Sequence, residues 1–300
     1  MTIAVTGATG FVGQALLDAA GESGLPVRAL ARGPQAQRDG VSWVAGDLAN
    51  AAALDALIAG TDVVIHVAGV VNTPDPAMFE SGNVQGTANV IAAMERAGVR
   101  RLVHVSSLSA REPHLSLYGA SKARAEALVR DSGLDWTMVR PPAIYGPRDR
   151  DMFELFRSAK WGVVPVPAEG RASLIHVADL ARLLLALTGG AGAGKCFDPD
   201  DGRPGGWGHK ELAHAIGAAM GRRIWAPGLP PALLRMGALA DKLLRGDKAR
   251  LTADRVGYLT HPDWVVSATG RVPADLWTPQ VPTLEGLRST AEWYRRNGWL

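Results

Sequence analysis

The sequence predicts an α/β protein, a doubly wound parallel sheet with a smaller, mainly C-terminal lobe. Three observations lead there. Between residues 2 and 98, short β-branched runs alternate with helical apolar spacing at regular intervals, the pattern of successive βαβ units. The stretch 62–69 is apolar without alternation, as a strand covered on both faces requires. Three glycines, Gly7, Gly10 and Gly13, fall between the first strand and the first helix. Sheets of this kind bind ligands beyond the carboxyl ends of their strands.

The first strand, 2–6, is Thr-Ile-Ala-Val-Thr, long enough for one buried strand. The apolar spacing of the first helix, 11–20, begins inside the glycines with Phe11, Ala15 and Leu16. A strand turning tightly into a helix N-terminus aims free backbone N–H groups and the positive end of a dipole at one spot. That spot suits a pyrophosphate if no Cβ blocks the approach, although three glycines would also serve a plain tight turn. The spacing Gly-x-x-Gly-x-x-Gly departs from the standard dinucleotide fingerprint. In this form Thr6-Gly-Ala-Thr-Gly-Phe-Val-Gly13 resembles the short-chain dehydrogenase/reductase family, in its extended or atypical, epimerase/dehydratase-like branch. The resemblance implies a Rossmann domain holding NAD(P), with Gly7, Thr9, Gly10, Phe11, Val12 and Gly13 around the cofactor.

The second strand, 27–32, ends at Arg32, 19 residues after Gly13. A dinucleotide unit places there the residue that reads the adenosine ribose, an acid for NAD or an arginine for a 2′-phosphate. No acid is present, and a guanidinium offers forked donors to a phosphate, so NADP is expected over NAD, with Arg28 as a helper. A solvated arginine at a strand end is the plain alternative. Stretch 41–48 is a third strand followed by Gly-Asp-Leu; the resemblance implies that Asp47 and Leu48 flank the adenine, while Asp47 would equally cap a helix over 51–59. His66-Val-Ala-Gly69 is similar to a cofactor-lining turn of the family, which implies Ala68 there, and His66 is assigned no chemistry. Asn83 opens a helix that closes at Gly98. The family's similar Asn-Val-x-Gly-Thr segment implies that Asn83 orders backbone and water beside the substrate, an interior polar residue being the alternative.

The fifth strand, 101–107, ends in Ser106 and Ser107, and Tyr118-Gly-Ala-Ser-Lys122 follows on a helix. Residues four apart share a helical face, so Tyr118 and Lys122 point into one cleft. A tyrosine has an ordinary pKa near 10, and a neighbouring ammonium favours its phenolate. Tyr118 is therefore the expected acid/base, with Lys122 lowering its pKa; the resemblance implies that both residues also meet the cofactor, Lys122 at the nicotinamide ribose, and the family's Val-x-x-Ser-Ser strand end implies Ser107 as the substrate-orienting hydroxyl. With 4 tyrosines and few lysines, the pair rarely arises by chance. From Ser107 to Tyr118 is shorter than in sugar-nucleotide epimerases, which argues against a nucleotide-sugar substrate. After the sixth strand, 135–140, Arg-Pro-Pro-x-x-Tyr-Gly-Pro resembles the loop that meets the nicotinamide carboxamide. That implies Pro141 and Ile144 as cofactor neighbours, though prolines also simply stop strands.

Beyond residue 179 information thins. Asp179 is expected to anchor a helix start, and Arg171 to touch an anionic substrate group or simply to be solvated. The stretch 195–197 is expected to return a strand to the sheet. Trp207, Trp225, Trp264 and Trp277 fit either a lobe core or an apolar pocket floor. Helices are expected over 210–220 and 231–245, the second amphipathic and basic, a lobe helix or lid more than a membrane contact. The last helix, near 285–294, resembles that of extended members. The expected division is a dinucleotide domain of 1–158 with 171–200, and a substrate lobe of 159–170 with 201–300.

Composition fits this reading. A 300-residue chain with 47% hydrophobic residues can bury a large core plus a lobe. The net charge of +3 comes from scattered arginines, which argues against a nucleic-acid arm. Cys196 is the only cysteine, so neither a disulfide framework nor a cysteine metal cluster is expected. No apolar stretch approaches the ~18 residues of a membrane span, and a cytoplasmic monomer or homodimer acting on a small molecule is expected. The expected activity is NADP(H)-dependent carbonyl/alcohol oxidoreduction of a small apolar or anionic substrate. Its rivals are an epimerase or dehydratase using bound NAD(P) transiently, and an NADP-binding or redox-sensing scaffold without turnover.

Overall fold

Seven parallel strands form the central sheet of the computed structural model, which describes residues 1–246, 249 and 251–300. They are β1 (Ile3–Thr6), β2 (Val27–Ala31), β3 (Val41–Ala45), β4 (Val63–His66), β5 (Arg101–Val105), β6 (Asp135–Val139) and β11 (Cys196–Phe197), in the order β11-β6-β5-β4-β1-β2-β3. The reversal of strand order beside β1 is the crevice where such sheets take ligands. All four residues of β4 are buried, so its unbroken apolar run follows from cover on both faces. Helices α1 (Phe11–Glu22) and α7 (Val177–Ala186) cover one face with Leu16, Leu17, Leu180 and Leu183. On the other, α2 (Ala51–Ile58), α4 (Gly86–Ala97) and α5 (Leu117–Asp131) contribute Leu54, Val90 and Val129.

The register aligns Thr6 with His66 and His66 with His104, which sets the carboxyl ends of β1, β4 and β5 side by side. Strand β11 takes the sheet edge as expected of 195–197. The helix expected to open at Asn83 begins earlier. A short α3 (Ala77–Phe79) runs through a π-helical stretch, Glu80–Gln85, into α4. Such wide turns recur where a side chain must be re-aimed. Here Asn83 accepts from the Val70 nitrogen (2.6 Å) and donates to the Val70 oxygen (2.9 Å) and to Ser121 Oγ (2.8 Å).

The lobe has its own core. Strand β7 (Ala143–Tyr145) pairs with β10 (Leu174–His176), and α6 (Phe153–Lys160), α8 (His209–Ala219) and α11 (Thr283–Arg296) pack beside them. Phe156 of α6, Leu212 and Ile216 of α8, and Leu287 and Tyr294 of α11 meet Tyr145 and Leu174. Cover of the lobe thus starts within α6, astride the expected boundary at 158. Small pairings join β8 (Val166–Pro167) to β13 (Gly228–Leu229), and β9 (Arg171–Ala172) to β12 (Trp207–Gly208) and β14 (Asp263–Trp264). Helix α9 (Pro231–Arg245), at the expected position, packs on α10 (Ala253–Leu259). Asp179 does not cap α7: His176 does, while Asp179 receives the backbone nitrogens of Gln280 (2.8 Å) and Val281 (3.0 Å), tying the C-terminal segment to the sheet. Among the described residues no helix is long and apolar enough to cross a membrane.

Candidate active site

The turn between β1 and α1 lies at the crevice. Gly7 has φ +72, and a Cβ there would stand 2.6 Å from the Ala68 nitrogen, so backbone contact between the ends of β1 and β4 demands glycine. A Cβ on Gly13 would strike the Gly7 carbonyl, so the third glycine lets α1 sit against the turn. Gly10 is exposed and caps α1 without a side chain, leaving the leading N–H groups of the helix open beside exposed Thr9. An anion such as a dinucleotide pyrophosphate fits this cradle. Phe11 and Val12 pack with Ile144 over the α1–α7 contact, so the 141–145 segment runs beside the cradle. The Leu108 nitrogen donates to the Pro141 oxygen (3.0 Å), which holds the ends of β5 and β6 together.

Around the adenosine end, Arg32 is exposed just past the last residue of β2, its guanidinium without a partner among the described residues. Arg28 is otherwise engaged. Its guanidinium donates to the carbonyls of Ala56, Leu57 and Ala59 at the end of α2, which corrects its assignment as a phosphate helper. Asp47 is exposed and accepts from the Ala49 nitrogen (2.9 Å); the cap of α2 is Asn50. Leu48 is half-buried, its carbonyl accepting from Asn89 (2.8 Å). His66 is buried between Thr6 Oγ1 (2.6 Å) and Thr87 Oγ1 (3.1 Å), and burial first, Lys122 second, lower its pKa to about 3. It is a neutral structural histidine.

The two serines at the end of β5 separate cleanly. Ser106 donates to Glu126 (2.6 Å), whose carboxylate also takes a forked pair of bonds from Arg140 (2.7 and 2.6 Å). Burial opposes ionisation of Glu126, but the bonds from Arg140 and Ser106 outweigh it and its pKa falls. Ser107 is only half-buried. Its hydroxyl accepts from the Ser109 nitrogen (3.2 Å) and faces the Tyr118 phenol, favouring the phenolate. The chain from 108 to 115 folds into two short 3₁₀ turns, which accounts for how few residues separate Ser107 from Tyr118.

Lys122 corrects one expectation. Its ammonium donates to the Val105 oxygen (2.8 Å), and burial, opposed by Glu126, brings its own pKa down to about 8. Aimed at that carbonyl, it does not lower Tyr118. Burial raises the phenol above its ordinary 10, Ser107 opposes, and Asp151 adds to the rise. Asn83 spends both amide protons and one acceptance on Val70 and Ser121, and so holds backbone beside the cleft. Arg171 donates to the carbonyls of Gly205 (2.5 Å) and Gly206 (2.8 Å). Nor do the four tryptophans share a floor: Trp207 is buried and donates to Asp201, Trp225 is exposed, Trp264 donates to the Tyr258 carbonyl, and Trp277 packs under the sheet.

Residues from distant segments complete the cleft, and sequence reasoning missed them. The rings of Phe79 and Tyr258 each lie 6.1 Å from that of Tyr118. Arg255 on α10 pairs with Asp151 (3.0 Å) beside them. Asp254 accepts from the Leu117 nitrogen (2.6 Å) and the Tyr118 nitrogen (3.4 Å), so α10 supplies a carboxylate cap to α5. A Cβ on Gly257 would collide with the Leu115 carbonyl, so α10 lies directly on the turn before α5. The cleft is polar at Ser107, Tyr118 and Lys122 and aromatic on its outer wall.

A family model described as NAD(P)H-binding matches residues 7–188. A ceramide reductase of Caulobacter vibrioides is 36% identical over 99% of this chain and 96% of its own. A 2-alkyl-3-oxoalkanoate reductase of Stenotrophomonas maltophilia is 33% identical over 96% of this chain and 98% of its own. Among solved structures, the UDP-N-acetylglucosamine 4-epimerase of Bacillus cereus superposes with a TM-score of 0.72 at 18% identity, covering 98% of this chain and 96% of that one.

Proposed function

The chain belongs to the NAD(P)H-binding family and is an NAD(P)-dependent enzyme of the oxidoreductase and epimerase type; within that type we propose that it is an NADPH-dependent reductase of a ketone carried on long alkyl chains. The observation that carries the reading is that two relatives matching this chain nearly end to end are both named reductases, of ceramide and of 2-alkyl-3-oxoalkanoates. The aromatic wall of Phe79 and Tyr258 beside Tyr118 supports an apolar substrate.

The open N-terminus of α1 and the Gly7–Gly13 turn hold the pyrophosphate. Asp47 and Leu48 flank the adenine, and Arg32 takes the 2′-phosphate. Ala68, Pro141 and Ile144 line the nicotinamide end. When bound, the dihydronicotinamide supplies the hydride that the carbonyl carbon accepts. Tyr118 gives its phenolic proton to the carbonyl oxygen, and Ser107 hydrogen-bonds that oxygen as negative charge gathers on it. A phenol whose pKa is raised by burial stays protonated at neutral pH, the state a reduction needs. Lys122 binds the nicotinamide ribose, and Ser107 is the group that favours the phenolate left after proton transfer.

The test is NADPH consumption against a panel of 3-oxo esters and amides of increasing chain length. Net oxidation that strengthens with chain length supports the reading. Isomerisation of a substrate with no net NADPH loss would replace it with the epimerase reading, which the fold accommodates equally.

A further inference from the structure

We propose that α9 is an interfacial helix that rests the protein on an anionic lipid surface, with its axis in the plane of that surface. Only a thin stripe of α9 faces the protein. Ala238 is buried, while Leu234 and Asp241 are half-buried, a spacing of four and three residues that marks one side of a helix. Asp241 on that side accepts from the Leu251 nitrogen (2.9 Å). The opposite side is apolar and bare. Leu233, Met236 and Leu239 are exposed, and Leu243 and Leu244 are 88% and 85% exposed. At 100° per residue these five side chains, with Ala232 and Ala240, span one broad arc.

The charge around that arc selects the occupant. Arg235 and Lys242, seven residues apart, stand exposed along one flank of the apolar arc, and no acidic residue interrupts it. From Met220 to Arg245 the chain carries Arg222, Arg223, Arg235, Lys242 and Arg245 against the single acid Asp241. Exposed Trp225 precedes the helix, an aromatic of the type that prefers the headgroup level of a bilayer. A second copy meeting the same face would bring two positive flanks together, whereas anionic headgroups complement them. At 15 residues α9 is too short to span a bilayer but ample to lie along one. Since α9 packs on α10, and α10 carries Tyr258 and the Asp254 cap, the lipid surface would adjoin the cleft. This last link, delivery of a lipid-borne ketone, rests on the reductase reading.

The test is co-sedimentation of the full-length protein with vesicles of phosphatidylcholine alone and of phosphatidylcholine mixed equally with phosphatidylglycerol. Binding to the mixed vesicles, weak binding to the neutral ones, and a loss of at least tenfold in bound protein for the Leu243→Glu/Leu244→Glu variant support the proposal. A single Lys242→Glu change should weaken binding without altering the melting curve, which separates lost docking from lost folding. No binding, equal binding by the double variant, or a wild-type dimer that the double variant turns into a monomer overturns it. NADPH oxidation with a short, water-soluble 3-oxo ester should be the same in wild type and the double variant. If vesicles bind through Leu243 and Leu244 yet no ketone is reduced, the docking stands and the reductase reading falls; ketone reduction without vesicle binding gives the reverse.

Discussion

Tyr118, Lys122 and Arg32 carry the sharpest expectations. Replacing Tyr118 by Phe removes one oxygen from a side chain that is already buried, so the fold and NADPH binding should survive. Turnover should fall about 10²–10⁴-fold, read from single-turnover NADPH oxidation beside a fluorescence titration of the cofactor. Lys122 has a pH signature. Its pKa is about 8 in the folded chain against an ordinary 10.5, so below pH 8 the fold bears the cost of a buried ammonium, and above 10.5 both states are neutral. Stability from this group therefore rises between pH 8 and 10.5. Lys122→Met lacks the cost, and its advantage over wild type at pH 7 should shrink by ~3 kcal/mol as pH reaches 10.5, measured by denaturant titration. Arg32→Ala should weaken NADPH at least tenfold and leave NADH unchanged; equal losses would remove Arg32 from the 2′-phosphate. The places of Tyr118 and Lys122 on one helix and of Arg32 at a strand end were legible because strand ends and i, i+4 helix spacing are local. The direction of the Tyr118 shift was not legible. It depends on where the Lys122 ammonium turns, and the Val105 carbonyl is invisible until β5 and α5 are packed.

Among the elements, the junction of α10 with α5 is the one whose loss is most specific. Asp254 adds a carboxylate to the positive end of α5 and bonds two of its leading N–H groups. Asp254→Ala should cost ~1 kcal/mol of stability and lower kcat/KM for ketone reduction by more than that penalty alone implies, because Tyr118 is the second residue of α5. Thermal melting and steady-state kinetics on the same preparation separate the two effects. The β1–turn–α1 unit, the run of β4 and the helix bearing Tyr118 were readable because each is long or locally punctuated. The π-helical stretch around Asn83 was not, since Val70 and Ser121, which pull Asn83 inward, lie 13 and 38 positions away. Helix α10 was missed for a similar reason: its seven residues have little periodicity of their own, and its meaning comes from Leu115 and Leu117.

Across the whole molecule, strands β7 and β10 join the two cores, Ile175 packing in that of the sheet and Leu174 in that of the lobe. Tyr145 and Leu174, within the ranges expected for the dinucleotide domain, sit in the same cluster as Phe156, Leu287 and Tyr294. We propose that the two expected domains therefore unfold together. NADPH at a hundred times its Kd should raise stability by about 2.7 kcal/mol and move one calorimetric transition upward as a unit. Two transitions, with only the first responding to NADPH, would restore the division into separate domains.

The Asp254–Leu117 bond also imposes a timetable. The carboxylate that caps α5 is made 137 residues after the nitrogen it receives. A growing polypeptide makes the Gly7–Gly13 turn and the Ser116 cap of α5 well before Asp254, which adds further bonds to the start of the helix bearing Tyr118. The contacts of α10 with the start of α5 are thus among the later ones a growing chain can make.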